Sequence, residues 1–197
     1  MNDFTLWLST GFEHIVAWNA YDHLLFILCM VFSFEPHQYK KLLFTITAFT
    51  IGHSVSLALS TMRYIHLASN LVELLIALTI LFSASMALWN LKRTVIIQSK
   101  IIYSTVLFFG LIHGLGFSSI LKAMLGHETN SILPLLYFNL GIELAQILIV
   151  GCILLFSATL INYLKLNFNR FKFFSLCIIL LFSLKISADR FLELFPS

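Results

Sequence analysis

The chain has 197 residues, of which 59% are hydrophobic and only 11% are charged. A soluble domain needs more polar surface than this to face water, so the composition indicates an integral membrane protein. The net charge of +3 is too small to indicate nucleic-acid binding. The cysteines form neither a CxxC motif nor a disulfide framework, and they are Cys29, Cys152 and Cys177.

Six long apolar segments predict transmembrane helices in one all-α domain, residues 1–197. In chain order they are 22–35, 42–60, 67–91, 101–124, 132–159 and 173–195. The first is short for a spanning helix, and residues 4–18 alone are also too short to cross. We expect 4–18 to be an interfacial or re-entrant half-helix, or the outer part of a long tilted first helix. The acidic start lacks a basic n-region, so we expect no cleaved signal peptide.

Basic residues predict the orientation of these helices. Eight fall in alternate loops, and they are Lys40, Lys41, Lys92, Arg93, Lys100, Lys165, Arg170 and Lys172. The opposite connections hold Arg63 and Lys122, partly cancelled by Glu128. The positive-inside rule therefore makes the first set of loops cytoplasmic and puts both termini outside.

Ionisable residues within or beside the spans all lie in the predicted outer half, down to ~15–17 Å at ~1.5 Å per residue. Burying such a group costs about 2.5–3.5 kcal/mol on insertion scales, so each needs a partner. Neutral imidazoles and carboxylates together suit a divalent cation. We therefore take seven residues as candidate metal ligands: His14, Asp22, His23, His53, Glu73, His113 and Glu143.

Two of these groups have a more specific expected arrangement. His14 lies about two turns before Asp22, which we expect on the same half-helix at the outer mouth. The motif "GLIHG" at 110–114 carries a GxxxG pair that permits close helix approach. We expect His53, His113 and Glu143 to share one site, with Glu73 in it or next to its ligands.

The remaining ionisable residues have simpler interpretations. Lys185 and Asp189, four residues apart, predict an internal ion pair. Three further histidines are predicted loop residues, namely His37, His66 and His127. A single membrane histidine can equally serve as a hydrogen bond between helices. That role does not explain why six histidines and acids coincide in one half of the membrane, namely Asp22, His23, His53, Glu73, His113 and Glu143.

A weak internal repeat is also visible. "GHS" followed by "NLVEL" in the second and third spans matches "IHG" followed by "NLGIEL" in the fourth and fifth. Such a pattern predicts a parallel repeat about an axis along the membrane normal.

Five blocks between Gly11 and Gln146 carry a resemblance to a known family. They read "GFEHIVAWNAYDHLLF", "FTIGHSVSLAL", "NLVELLIAL", "FGLIHGLGFS" and "FNLGIELAQ". Together they resemble the HupE/UreJ family of bacterial membrane proteins, in its shorter second branch. The resemblance implies a protein of the bacterial inner membrane associated with nickel or cobalt handling. It also implies that the seven candidate ligands are the family's characteristic positions.

Three functions fit these residues. The first is a divalent-metal permease for nickel, cobalt or zinc that opens to the periplasm, because the candidates are imidazole and carboxylate without thiolate. The second is an intramembrane zinc hydrolase acting on a lipid or membrane-bound peptide, with Glu73 or Glu143 activating water. The third is a bis-His haem protein. We favour the permease, with a metal ion and membrane lipids as partners and with self-association allowed.

The charge pattern generates a topology prediction. A cysteine introduced as Asn2→Cys should react with an impermeant maleimide once the outer membrane is permeabilised, because the N-terminus is expected in the periplasm. Gln98→Cys, in a predicted cytoplasmic loop, is the matched control and should stay protected. Labelling of Gln98→Cys with protection of Asn2→Cys would reverse the orientation.

Overall fold

The structure is a computed structural model that describes residues 3–18, 20–91, 99–125 and 132–195. These residues form α-helices and no strand, which confirms the all-α membrane fold. The helices are α1 (Asp3–Val16), α2 (Tyr21–Ser33), α3 (Tyr39–Thr61), α4 (Ser69–Leu91), α5 (Ser99–Gly116), α6 (Ser118–Leu125), α7 (Ile132–Leu164) and α8 (Phe168–Leu194). A 3-10 turn, Pro36–Gln38, precedes α3.

Within the described residues, four helices are long and apolar enough to cross a membrane, namely α3 with its preceding turn, α4, α7 and α8. The pairs α1/α2 and α5/α6 are bent by 74° and 51° at short breaks, and each pair passes the same test together. Counting each bent pair as one span gives up to six spans, by length and composition.

The predicted span 101–124 is therefore two helices and not one. Glycine is a poor helix former, and α5 ends at Gly116. At the start of α6 the Ser118 hydroxyl donates to the Leu115 carbonyl at 2.8 Å, which helps to satisfy the end of α5.

The N-terminal segment predicted at 4–18 is α1, and it belongs to the bundle. Its buried residues Trp7, Gly11 and Ile15 follow a spacing of four, which gives one packed face along the helix. This face lies along α7. The helix is thus held by α7 and meets α2 at a sharp angle.

The most extensive helix packing joins α3 to α5 through glycines. A Cβ atom at Gly52 would collide with the backbone of Leu107, and one at Gly110 would collide with the backbone of Phe49. Each glycine thus lets the other helix's carbonyl approach where any side chain would block it. The GxxxG prediction identified this contact surface on α5.

A second crossing of the same kind joins α1 to α7. Gly11 faces the backbone of Phe138, and Gly141 faces the backbone of Leu8, again with no room for a Cβ. Two reciprocal glycine crossings therefore fix two pairs of helices at backbone contact.

Alanine substitutions test the packing at these crossings. Gly110→Ala should lower the free energy of unfolding by about 1–3 kcal/mol, because the added methyl forces the α3 and α5 backbones apart. Gly151→Ala is the matched control: a Cβ there meets nothing within 4 Å, and alanine favours a helix by up to ~1 kcal/mol over glycine. Unfolding in detergent, followed by circular dichroism, distinguishes them. Equal stability of the two variants would contradict the crossing.

Candidate metal centre

Four helices each bring one histidine to a common place: His14 on α1, His23 on α2, His53 on α3 and His113 on α5. The centroid of the His23 ring lies 4.9 Å from that of His14, 6.0 Å from that of His53 and 5.5 Å from that of His113. The His14 and His53 centroids are 5.9 Å apart. The sequence predicted His14 and Asp22 on one half-helix, whereas the bend puts them on different helices and folds His14 back onto His23. We call these four residues the histidine cluster.

Three of the four cluster histidines are buried and His14 is half-buried. His53, His113 and His23 expose 0%, 1% and 5% of their surface. A buried polar atom without a partner costs about 1–3 kcal/mol. The described residues include five such ring nitrogens, and these are His14 Nε2, His23 Nε2, His53 Nδ1, His53 Nε2 and His113 Nδ1.

Neighbouring groups fix the protons on two of the rings. The Nδ1 of His23 lies 3.0 Å from an Asp22 carboxylate oxygen, which also accepts from the His23 backbone N–H at 2.9 Å. The Thr79 hydroxyl donates to the Ile76 carbonyl at 2.7 Å, so at 2.9 Å it accepts from His113 Nε2–H. The other nitrogen of each ring, Nε2 in His23 and Nδ1 in His113, is left with a free lone pair. Metal-binding histidines commonly have their second nitrogen held in this way.

The spacing of the rings suits a shared ion once they rotate. Tetrahedral imidazoles bonded at ~2.0–2.1 Å have ring centroids ~5 Å apart, close to the separations from His23. As the side chains stand, no three His, Cys, Asp or Glu residues in the described ranges already have the geometry to hold one ion. Ring rotation about the side-chain torsions is therefore needed to aim the free nitrogens at one point.

A cavity of about 470 Å³ opens beside the cluster, and we call it the histidine cavity. Three of the cluster histidines, all except His53, line it. Its charged lining residues are Glu13, Asp22, Glu73 and Arg190. Carboxylates therefore outnumber cations along the approach to the cluster, which favours a cation there.

Glu73 lines this cavity as the partner of an arginine. Its carboxylate lies 2.9 Å from Arg190, which also contacts Glu193 at 2.7 Å. Sequence reasoning missed Arg190; the signal was an arginine within an apolar helix, which requires an acid nearby. The predicted ion pair of Lys185 with Asp189 is not among the salt bridges of the described residues, and both side chains are exposed.

Glu143 is not brought to the histidine cluster. Its carboxylate accepts from the Thr47 hydroxyl at 2.9 Å, and one turn further Thr50 donates to Gln146 at 2.7 Å. Thr47 lies six residues before His53, or ~9 Å along α3. The sequence predicted Glu143 beside His53 because their expected depths agree to within about one helical turn, but the Thr47 hydroxyl of α3 satisfies the acid at another level.

The remaining predictions concern single residues. His66 lies in the loop between α3 and α4, as predicted, whereas His37 lies in the 3-10 turn before α3, and both are exposed. His127 and Glu128 lie outside the described residues. Thr79 was missed, since a threonine in an apolar helix carries no sequence signal for its partner.

One comparison with known proteins identifies the chain's relatives. The family model described as HupE / UreJ protein matches residues 1–187. The curated proteins and the solved structures give no significant match. The resemblance drawn from the five sequence blocks is thereby confirmed. The match covers all four cluster histidines and nearly the whole chain, and the protein therefore belongs to the HupE/UreJ family.

Proposed function

We propose that this protein is a divalent transition-metal permease whose intramembrane site is the histidine cluster together with Asp22. The observation that carries the proposal is the convergence of five unpartnered ring nitrogens from four helices. Imidazole with carboxylate is a donor set suited to nickel, cobalt or zinc, and family membership supports nickel or cobalt.

The route to the site begins in the histidine cavity. The carboxylates of Glu13, Asp22 and Glu73 line it and attract a hydrated divalent cation. His14, His23 and His113 also line this cavity, and their lone pairs replace waters bound to the ion. His53, fully buried, then completes the coordination from behind. Stepwise coordination of this kind keeps the ion exchangeable, as transport requires.

The orientation in the membrane follows from charge. The basic loops predicted as cytoplasmic begin or end at the opposite end of the bundle from the histidine cavity. The cavity then opens to the periplasm, with both termini on that side of a bacterial inner membrane. A metal ion is therefore captured from the periplasm.

The alternative of a zinc hydrolase receives less support. It assigned the activation of water to Glu73 or Glu143. Glu73 is paired with Arg190, and Glu143 accepts from Thr47, away from the cluster. Neither carboxylate is available next to the imidazoles as a general base.

Histidine substitutions test the binding site. His53→Ala and His113→Ala should each weaken Ni²⁺, Co²⁺ or Zn²⁺ binding by at least about 100-fold, the upper range for loss of an outer hydrogen-bond partner. His66→Ala, an exposed histidine outside the cluster, should bind as the wild type does. Isothermal titration of the purified protein in detergent gives the dissociation constants. Absence of binding by the wild type would overturn the proposal.

The groups that orient the imidazoles provide a second test. Asp22→Asn and Thr79→Val should each weaken metal binding by about 10–100-fold, because His23 and His113 lose the partners that hold their rings. Glu143→Gln should keep wild-type affinity, since its carboxylate contacts Thr47 instead. The same titration measures all three variants. If Glu143→Gln lost as much metal affinity as Asp22→Asn, Glu143 would belong to the site after all.

Transport itself is measured in proteoliposomes that contain a metal-sensitive dye. Wild-type protein should raise the initial rate of dye response to external metal, and His113→Ala should reduce the rate to that of empty vesicles. Binding without any uptake would leave a metal-binding membrane protein and contradict the permease.

A further inference from the structure

A second cavity, of about 520 Å³, lies at the other end of the bundle. Its charged lining residues are Glu35, Lys41 and Lys172, and we call it the lysine cavity. Residues from both ends of the basic loops surround it, including the last turn of α4 and the first turns of α3 and α8. The two cavities therefore open toward opposite ends of the same helices.

Phenylalanines separate the histidine cluster from the lysine cavity. On α2, Phe26 follows His23 by three residues. On α3, Phe49 precedes His53 by four. The third pair, Phe109 and His113 on α5, has the same spacing of four. Since α2 runs opposite to α3 and α5, all three rings lie one turn from a histidine on the side of the lysine cavity. We call these three residues the phenylalanine layer.

Phe26 packs against both of the other rings of the layer. The Phe26 ring lies 4.9 Å from that of Phe49 and 6.1 Å from that of Phe109, and Phe26 and Phe49 each expose 1% of their surface. Phe26 lines the lysine cavity, while its ring lies 5.1 Å from that of His113, which lines the histidine cavity. Phe49 also lies 5.1 Å from His113. The linings of the two cavities therefore meet where the Phe26 and His113 rings lie together.

On the other side of the layer, the lysine cavity contains a carboxylate that is paired with a lysine. Glu35 lies 3.0 Å from the Lys172 ammonium, which is 4% exposed. Ser83, Thr105 and Asn90 add hydroxyl and amide groups to the same cavity. A cation arriving there meets oxygen ligands, and Glu35 becomes available to it when Lys172 releases the acid.

We propose that the phenylalanine layer is the barrier a metal ion crosses on leaving the histidine cluster, and that Glu35 is the first carboxylate to receive it in the lysine cavity. This inference rests on the proposed permease function. Hydrophobic constrictions close ion pathways by excluding water. Aromatic faces also attract cations, which lowers the cost of passage once the rings part. The Lys41 and Lys172 ammonium groups outnumber the Glu35 carboxylate in this cavity, so the ion is held weakly there and released.

The barrier is tested by shortening one ring. Phe26→Leu should raise the initial uptake rate in proteoliposomes by about tenfold, which corresponds to 1.36 kcal/mol off the barrier. Metal affinity in detergent should stay at the wild-type value, because no ligand changes. Phe32→Leu is the matched control: this buried ring also lines the lysine cavity but contacts Phe171 at 5.8 Å and no histidine. Phe49→Leu repeats the test on a second helix if Phe26→Leu fails to fold.

The receiving carboxylate is tested in the same vesicles. Glu35→Gln should lower uptake by about tenfold, or 1.36 kcal/mol, without changing the affinity of the histidine cluster. Asp189→Asn, an exposed acid near the other end of α8, should leave uptake unchanged.

The outcomes separate this inference from the proposed function. If the wild type binds no metal, the permease itself fails. If it binds and transports metal but Phe26→Leu matches Phe32→Leu, only the barrier is wrong. A metal-independent measurement uses Cys29, which lines the lysine cavity. With Cys152→Ser and Cys177→Ser in the background, Phe26→Leu should let a small charged thiol reagent reach Cys29 from the side of the histidine cavity, and unchanged protection would contradict the barrier.

Discussion

Backbone contact at paired glycines is the constraint on which the site depends. A carbonyl of α3 fits against Gly110, and a carbonyl of α5 fits against Gly52. At such close approach the neighbouring side chains have little choice of direction, so His53 and His113 are held near one point. The second crossing, at Gly11 and Gly141, fixes α1 in the same manner. The histidines therefore converge because the helices carrying them cannot move apart without losing the close van der Waals contact that the glycines permit.

The glycine crossings also reveal a likeness between α1 and α5. Both contain G-x-x-H, as "GFEH" at 11–14 and "GLIH" at 110–113, and both are followed by a sharp bend into a second helix. The glycine faces a partner helix, and the histidine one turn later reaches the cluster. This relation pairs different elements from the predicted repeat, which relates the second and third spans to the fourth and fifth. The shared motif is short, but in both copies the glycine contacts a partner helix and the histidine belongs to the cluster.

The sequence predicts the helices of this protein well and its contacts only in part. Apolar length gives the spans because the cost of exposing the backbone to lipid dominates every other term. The histidines of the cluster can be predicted in the same way, because a polar ring in an apolar helix is costly unless it has a partner. Pairings such as Glu143 with Thr47 and Glu73 with Arg190 do not follow, because they depend on the rotation of each helix about its axis. Helix rotation is decided by packing, and no periodic pattern in these nearly all-apolar helices records it.

Two ion pairs of α8 are separated by a distance close to the thickness of a membrane. Lys172 near its start joins Glu35 of the lysine cavity, and Arg190 near its end joins Glu73 of the histidine cavity. Eighteen residues separate the two cations, or ~27 Å of helix, close to the ~30 Å hydrocarbon thickness of a bilayer. A bilayer of this thickness would place each pair near one membrane–water boundary, where its charges are least costly. The spacing of the two ion pairs therefore matches α8 to a bilayer of about this thickness. A much thicker bilayer would place one of the pairs in hydrocarbon and favour tilting of the bundle.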